Sequence, residues 1–150
     1  MSELVKIHEN LFISGFLHNN NAENELKSNN IVAVVNLYPF KTYNPPSYIH
    51  YLQIGFKNGI RISPEIIEKI LSFIDKHIST GPVLVQCNRG ISRSGAIICA
   101  RLLVENPTWD WENALRFVRK KKRIMPHPFL KESILTYFEV KEGKRREKKD

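Results

Sequence analysis

Cysteine and long apolar runs are both scarce in this chain of 150 residues. The two cysteines, Cys87 and Cys99, lie in apolar stretches, which argues against the disulfide framework of a small secreted protein. The apolar runs are too short to span a bilayer, and the first residues lack the charged and apolar regions of a signal peptide. We therefore expect a soluble monomer without a transmembrane segment, in the cytoplasm or alternatively the nucleus.

Most of the chain also lacks a net charge. The net charge is +8, but residues 1–115 hold ten basic and ten acidic residues, so the whole excess lies in 116–150. Part of it belongs to the tail at 141–150, and part forms a predicted helix stripe: Arg116, Arg119, Lys120 and Arg123. A solvated helix face and a frayed tail account for such charge. The alternative is a surface for acidic partners such as phosphopeptides, RNA or anionic lipids.

Apolar patterning predicts one α/β domain, and no internal repeat or linker interrupts it. The run Ile31–Leu37 is apolar except for Asn36 and rich in β-branched residues, which is typical of a strand buried on both faces. Further strands are expected at 48–54 and Val83–Val85, and a hairpin around His8–Asn10. Strands that alternate with helices indicate a central, largely parallel sheet of four to five strands flanked by helices.

Helix signals separate these strands. Ser63 followed by Pro64 marks a helix start, since a serine cap and a proline at the first position are favoured there. Thr108 is the predicted cap of a later helix. The expected helices cover about 21–28, 64–78, 93–104, 108–122 and 128–140.

The most informative stretch, QCNRGISRSG, follows the strand Val83–Val85. Ligands of open α/β sheets bind outside the carboxyl ends of the strands, and Cys87 lies at such an end. The small residues of 88–92 allow backbone N–H groups to converge as an anion nest. The helix beginning near Arg93 adds free N–H groups and the positive end of its dipole. The planar guanidinium of Arg93 suits a bidentate grip on phosphate.

The same setting gives Cys87 a chemical role. A helix N-terminus and a nearby guanidinium favour the thiolate, which can attack the phosphorus of a bound phosphate. The N–H groups and Arg93 would stabilise the transferring phosphoryl charge. Ser94 can offer its hydroxyl to the sulfur when the sulfur leaves in a second step. Cys99 is expected to be a buried core residue instead.

The loop resembles that of the cysteine-dependent phosphatases, and within them the small dual-specificity protein phosphatases. Their pattern, His-Cys-x-x-Gly-x-Ser-Arg-Ser, is matched at 86–94 except at the first position. Similar segments extend the resemblance over roughly 4–139. It implies a catalytic domain over 1–140 with a basic tail at 141–150, a phosphocysteine intermediate, a phosphorylated protein as substrate, and no metal or other cofactor.

The resemblance also assigns residues. Cys87 takes the place of the nucleophile and Arg93 that of the phosphate clamp, with Ser94 beside them as a further catalytic residue. The phosphate-binding loop would consist of Asn88, Arg89, Gly90, Ile91, Ser92 and Arg93.

Two departures from the family pattern bear on activity. Gln86 stands where the family has a histidine, so a charge beside the thiol is lost. The family's general-acid aspartate falls at or near Asn58, and residues 54–64 contain no Asp or Glu. General acid catalysis is worth about 10²–10⁴-fold, so a basic leaving group should depart slowly. Lys57 and Arg61 are hypothesised to favour anionic substrates at the mouth of the site.

Four functions remain open at this point. The first is a protein phosphatase acting on phosphotyrosine, phosphoserine or phosphothreonine. The second is an RNA 5′-triphosphatase or another phosphatase with an acidic leaving group, although such loops tend to read Asn-Arg-Thr where this chain has Ser92-Arg93-Ser94. A phosphoinositide phosphatase and a phosphate-binding pseudophosphatase are the others. The retained Cys87 disfavours the last, because binding alone needs no thiol.

Overall fold

A five-stranded sheet forms the centre of the computed structural model, which describes the backbone of residues 3–149 and the side chains of residues 3–144. The strands are β1 Val5–His8, β2 Leu11–Ser14, β3 Ala33–Asn36, β4 His50–Gln53 and β5 Val83–Gln86. Their order is β1-β2-β5-β3-β4, and every neighbouring pair is parallel except the β1–β2 hairpin. The predicted α/β fold with a largely parallel sheet is confirmed, as is the hairpin.

Helices cover both faces of this sheet. They are α1 Asn19–Ser28, α2 Pro64–Ile78, α3 Arg93–Glu105, α4 Trp111–Arg119 and α5 Pro128–Lys149. Val83 and Val85 point into the larger core layer, which α2 to α5 cover, whereas Leu84 joins the smaller layer beneath α1. Since successive strand residues face opposite sides, β5 must be apolar throughout, which explains its unbroken apolar run.

The central position of β5 fixes the place of the loop that follows it. Because β2, β3 and β5 are parallel, their carboxyl ends meet at one edge of the sheet. Ser14, Asn36 and Gln86 are in register there, and all three are buried polar residues at the last strand position. The sheet therefore delivers the segment after Gln86 to an edge that already carries polar groups.

Two helix boundaries differ from the predictions. Asp110, not Thr108, caps α4: its carboxylate accepts the Asn113 N–H, and the Asn113 side chain accepts the Asp110 N–H in return. The reciprocal pair satisfies two free N–H groups, which a lone threonine cannot do. Helix α5 continues to Lys149 instead of ending near residue 140, because its Glu, Lys and Arg residues are good helix formers. The side chains of the predicted tail at 145–150 lie outside the described residues.

None of the helices within residues 3–149 combines the length and apolar character that a transmembrane span requires.

Candidate active site

The Cys87 thiol lies at the bottom of the loop between β5 and α3. The residue is 2% exposed, and its Sγ accepts a hydrogen bond from the Ser94 N–H at 3.5 Å, in the first turn of α3. The Cys87 N–H in turn approaches the Ser14 carbonyl of β2 at 3.4 Å. The sulfur thus faces the N-terminal end of a helix, where free N–H groups and the helix dipole favour a negative charge.

Gly90 allows the loop to curl back against β2. Its φ angle is +68°, a left-handed conformation that side chains disfavour, and a Cβ there would lie 2.6 Å from the Ser14 carbonyl carbon. Two further backbone bonds hold the loop from either side. The Phe16 N–H donates to the Asn88 carbonyl at 3.1 Å, and the Met125 N–H donates to the Ile91 carbonyl at 3.0 Å. The loop is therefore fixed by both neighbouring segments.

Within the described part of the chain, the Arg93 guanidinium is hydrogen-bonded at Nη1 but not at Nε. It is 8% exposed, its Nη1 donates to the Phe56 carbonyl at 2.8 Å, and its group lies 5.8 Å from the centre of the Tyr38 ring. Among the described residues, its buried Nε and the buried Ser94 Oγ have no hydrogen-bond partner. A buried donor without a partner destabilises the folded protein. Because two such donors lie beside this loop, we infer that they are available to hydrogen-bond an anionic ligand.

Gln86 is buried in the position where the resembling family has histidine. Its Oε1 accepts a hydrogen bond from the Tyr43 hydroxyl at 3.2 Å, and its Nε2 has no partner among the described residues. Burial raises the pKa of Tyr43, so this hydroxyl remains protonated and continues to donate. Gln86 thus links the loop to the polar interior without contributing a charge.

A cavity of about 680 Å³ opens above Cys87. The lining residues from the loop are Cys87, Asn88, Arg89, Ile91, Ser92 and Arg93, and those from outside it are Asn58, Arg119, Met125, Pro126, His127 and Pro128. Three are arginines, and within the described part of the chain no Asp or Glu contributes to the lining. The cavity is therefore suited electrostatically to a substrate with more than one negative charge.

Asn58, which the sequence places at the general-acid position, lines the cavity next to the loop. Its Oδ1 accepts a hydrogen bond from the Ser92 hydroxyl at 2.6 Å. Neither Lys57 nor Arg61, hypothesised to line the mouth, belongs to the cavity wall. Arg61 instead packs on the Phe129 ring at 3.9 Å and forms an ion pair with Glu132 at 3.1 Å.

The segment between α4 and α5 is the part of the site that sequence patterns did not reveal. The His127 N–H donates to the Ser92 hydroxyl at 3.1 Å, and Met125 bonds the loop as described above. Pro126 and Pro128 flank His127 in the sequence, and this short proline-rich stretch marks the segment as a loop without assigning it to the site. Arg119 was assigned to a basic stripe, but it also reaches the cavity, with its Nε donating to the Ile124 carbonyl at 3.1 Å.

Cys99 has no part in this site. It is fully buried in α3, as predicted, and burial raises the pKa of its thiol to about 12. Its thiol therefore remains protonated near neutral pH.

Comparison with known proteins identifies relatives over nearly the whole chain. A family model described as the catalytic domain of dual specificity phosphatases matches residues 15–140. The tyrosine-protein phosphatase yvh1 of Schizosaccharomyces pombe is 30% identical, with 93% of this chain and 42% of the relative covered. The chain thus spans less than half the length of this curated relative.

Solved structures share the fold at lower identity. The human tyrosine phosphatase-like serine/threonine/tyrosine-interacting protein has a TM-score of 0.80 and 21% identity, with 93% of this chain and 98% of that chain covered. PTPMT1, solved in complex with PI(5)P, has a TM-score of 0.82 and 15% identity, with coverage of 96% and 99%. Human DUSP28 has a TM-score of 0.76 and 19% identity, with coverage of 94% and 99%. Since the family model covers most of the chain and the fold agrees, this protein belongs to the dual specificity phosphatase catalytic-domain family.

Proposed function

We propose that this protein hydrolyses phosphomonoesters through a phosphocysteine at Cys87, with phosphotyrosine, phosphoserine or phosphothreonine of proteins as substrates. The observation that carries the proposal is the Cys87 sulfur, which lies at the N-terminus of α3 within a loop that ends in Arg93. Family membership supports the reaction class. The residue roles and the protein substrate extend beyond that membership.

The reaction has two steps. In the first, the Cys87 thiolate forms a bond to phosphorus, and the bond from phosphorus to the ester oxygen breaks with its electron pair on that oxygen, which takes a proton from water. In the second, a water oxygen bonds to phosphorus and loses a proton to solvent, while the sulfur leaves as thiolate. Arg93 and the loop N–H groups stabilise the phosphoryl charge in both steps. The Ser94 hydroxyl donates a hydrogen bond to the departing sulfur.

Acid assistance to the leaving group is weak in this account. Asn58 carries an amide where the family has a carboxylic acid, and an amide cannot release a proton at neutral pH. Because no carboxylate from the described residues lines the cavity, the first step depends on the acidity of the leaving group itself. Phosphotyrosine, whose phenol is more acidic than an alcohol, is then the fastest protein substrate.

Trapping of the intermediate tests the proposal. The protein is mixed with a phosphotyrosine peptide, quenched in acid within one turnover, digested and mapped by mass spectrometry. The expected result is a phosphoryl group on Cys87, which is absent from Cys87→Ser. The matched control Arg93→Ala keeps the thiol but lacks the clamp, so its phosphorylated fraction should fall at least about tenfold. Phosphorylation at another residue, or none in the wild type, would overturn the proposal.

A second candidate is a phosphatase for phosphoanhydrides such as an RNA 5′-triphosphate. The cavity favours it because Arg89, Arg93 and Arg119 line it without a carboxylate, and because a phosphate leaving group needs no added proton. Phosphate release from a 5′-triphosphorylated RNA oligonucleotide should then exceed release from a phosphotyrosine peptide in kcat/KM. The reverse order would favour the protein phosphatase.

A further inference from the structure

His127 is the one histidine in the wall of the cavity, among the residues that the structure describes. One backbone hydrogen bond ties it to the phosphate loop. Its backbone N–H donates to the Ser92 hydroxyl, and the same hydroxyl donates to Asn58. His127 is thus tied through one hydroxyl to both the phosphate loop and the general-acid position.

The orientation of the imidazole ring is fixed as well. The Phe129 N–H donates to Nδ1 of His127 at 3.0 Å, and the two rings pack with their centres 5.1 Å apart. An Nδ1 that accepts this hydrogen bond carries no proton, so the hydrogen-bond geometry assigns the ring proton to Nε2. The structure therefore presents an N–H donor at Nε2.

That Nε2 points toward the segment of the general-acid position. A Cβ built on Gly59 would lie 3.5 Å from Nε2, so the ring edge passes directly beside the residue that follows Asn58. Nε2 makes no hydrogen bond among the described residues. A Cβ at Gly59 would make ordinary van der Waals contact with this edge, so it is the φ of +84° that favours glycine there.

In-line attack places the leaving group on the side of phosphorus away from the sulfur. A phosphoryl group over Cys87 therefore directs its leaving oxygen toward the part of the wall outside the loop. The side-chain donors there are Asn58, Arg119 and His127. The Asn58 Oδ1 and the Arg119 Nε already form hydrogen bonds within the protein, which leaves the Asn58 Nδ2, the Arg119 Nη groups and the His127 Nε2 as donors. Of these three residues, His127 is the one that is held both at its backbone N–H and at its ring Nδ1, so its donor is the best oriented.

We propose that His127 donates a hydrogen bond from Nε2 to the leaving-group oxygen and so partly replaces the missing acid. This inference rests on the proposed function. The negative charge that develops on this oxygen strengthens the bond, while the proton stays on Nε2. The leaving group takes its proton from water after the bond to phosphorus has broken.

The test compares variants over a series of aryl phosphates that span a wide range of leaving-group acidity. His127→Ala should reduce kcat about tenfold for the most basic leaving group and less than about twofold for the most acidic, because the hydrogen bond strengthens with developing charge. His127→Gln, which keeps a side-chain N–H donor, should recover part of the loss. His8→Ala is the matched control, since His8 is an exposed histidine on the hairpin outside the cavity.

Inhibition by inorganic phosphate separates this role from a structural one. The inhibition constant should change less than about twofold in His127→Ala, because the loop and Arg93 hold the phosphoryl group. A uniform loss of kcat across the series, or weaker phosphate inhibition in both His127 variants, would overturn the inference. If turnover depends on Cys87 but the dependence of kcat on leaving-group acidity is the same in His127→Ala as in the wild type, the role of His127 is overturned. The proposed function is then unaffected. Absence of Cys87-dependent turnover in the wild type would overturn both.

Discussion

At the scale of single residues, the Ser92 hydroxyl connects the phosphate loop with Asn58 and with the segment between α4 and α5. It accepts from the His127 N–H and donates to Asn58, so both its proton and a lone pair are engaged. Because Asn58 offers its Oδ1 to Ser92, its amide Nδ2 is the atom left for other partners. In the proposed reaction, an amide at this position can hydrogen-bond a leaving group but supplies no proton, so we expect weak acid assistance.

Asn58→Asp should restore a general acid. An aspartate has nearly the same shape, can accept the Ser92 hydroxyl with one oxygen and can protonate a leaving group with the other. We expect kcat for a basic leaving group, such as phosphoserine, to rise at least about tenfold, toward the lower end of the range for general acid catalysis. Steady-state kinetics on a phosphoserine peptide measures this change.

Asn58→Ala serves as the control for Asn58→Asp, because it removes the amide without adding an acid. Its kcat on phosphoserine should stay at or below that of the wild type. Equal rates for Asn58→Asp and Asn58→Ala would show that residue 58 does not lie near the leaving group.

Cys99 should be inert in the folded protein. Burial raises the pKa of its thiol to about 12, so the reactive thiolate is scarce at pH 8. Iodoacetamide at pH 8 should therefore modify Cys87, which borders the cavity, and leave Cys99 unmodified until the protein is denatured. Mass spectrometry of the digested protein locates the label. Alkylation of Cys99 in native Cys87→Ser would contradict the burial argument.

At the scale of elements, the strand, loop and helix around Cys87 follow from local sequence. The apolar run of β5 predicts a buried strand, and Gly90 with the small loop residues predicts a tight turn before α3. His127 and Met125 could not be predicted in the same way, because they lie more than thirty residues beyond Cys87 in sequence. The packing of α4 and α5 on α3 returns this segment to the loop. Its partners are backbone groups and a serine hydroxyl, which leave no pattern in a single sequence.

The cap of α4 provides a test of this element. The boundary was predicted at Thr108, whereas the observed cap is Asp110 with its reciprocal partner Asn113. Asp110→Ala should lower the free energy of unfolding by about 1 kcal/mol, since it leaves helix N–H groups without their acceptor. Urea denaturation measures the change.

Thr108→Ala is the matched control for the cap, and its free energy of unfolding should stay within about 0.5 kcal/mol of the wild type. An equal loss in both variants would contradict the assignment of Asp110 as the cap.

At the scale of the whole molecule, part of the positive charge lies beyond the residues that the family model matches. The family model ends at residue 140, while α5 continues to Lys149. We propose that the basic segment, residues 141–150, is separable from the catalytic domain over 1–140. Within the described side chains of that segment, the Lys141 Nζ donates a part-buried hydrogen bond to the Tyr137 hydroxyl at 3.3 Å and forms an exposed ion pair with Glu68 at 4.0 Å. Exposed ion pairs contribute about 0–1 kcal/mol, so the pair of Lys141 with Glu68 adds little to stability.

Deletion of residues 141–150 removes six basic and three acidic residues. We expect kcat/KM on a small aryl phosphate to change less than about twofold, while the salt concentration that elutes the protein from heparin falls, because fewer cations contact the polyanion. A full-length variant with those six basic residues changed to glutamine should match the deletion. A tenfold loss of kcat/KM in both would show that the basic segment belongs to the catalytic unit.

The central claim is a cysteine-dependent phosphatase whose leaving group departs with little proton assistance. Turnover of aryl and alkyl phosphates over a wide range of leaving-group acidity tests it most directly, with Cys87→Ser as the blank. The account predicts Cys87-dependent turnover that falls steeply as the leaving group becomes more basic. A rate that does not depend on leaving-group acidity would contradict it, as would turnover that equals the Cys87→Ser blank.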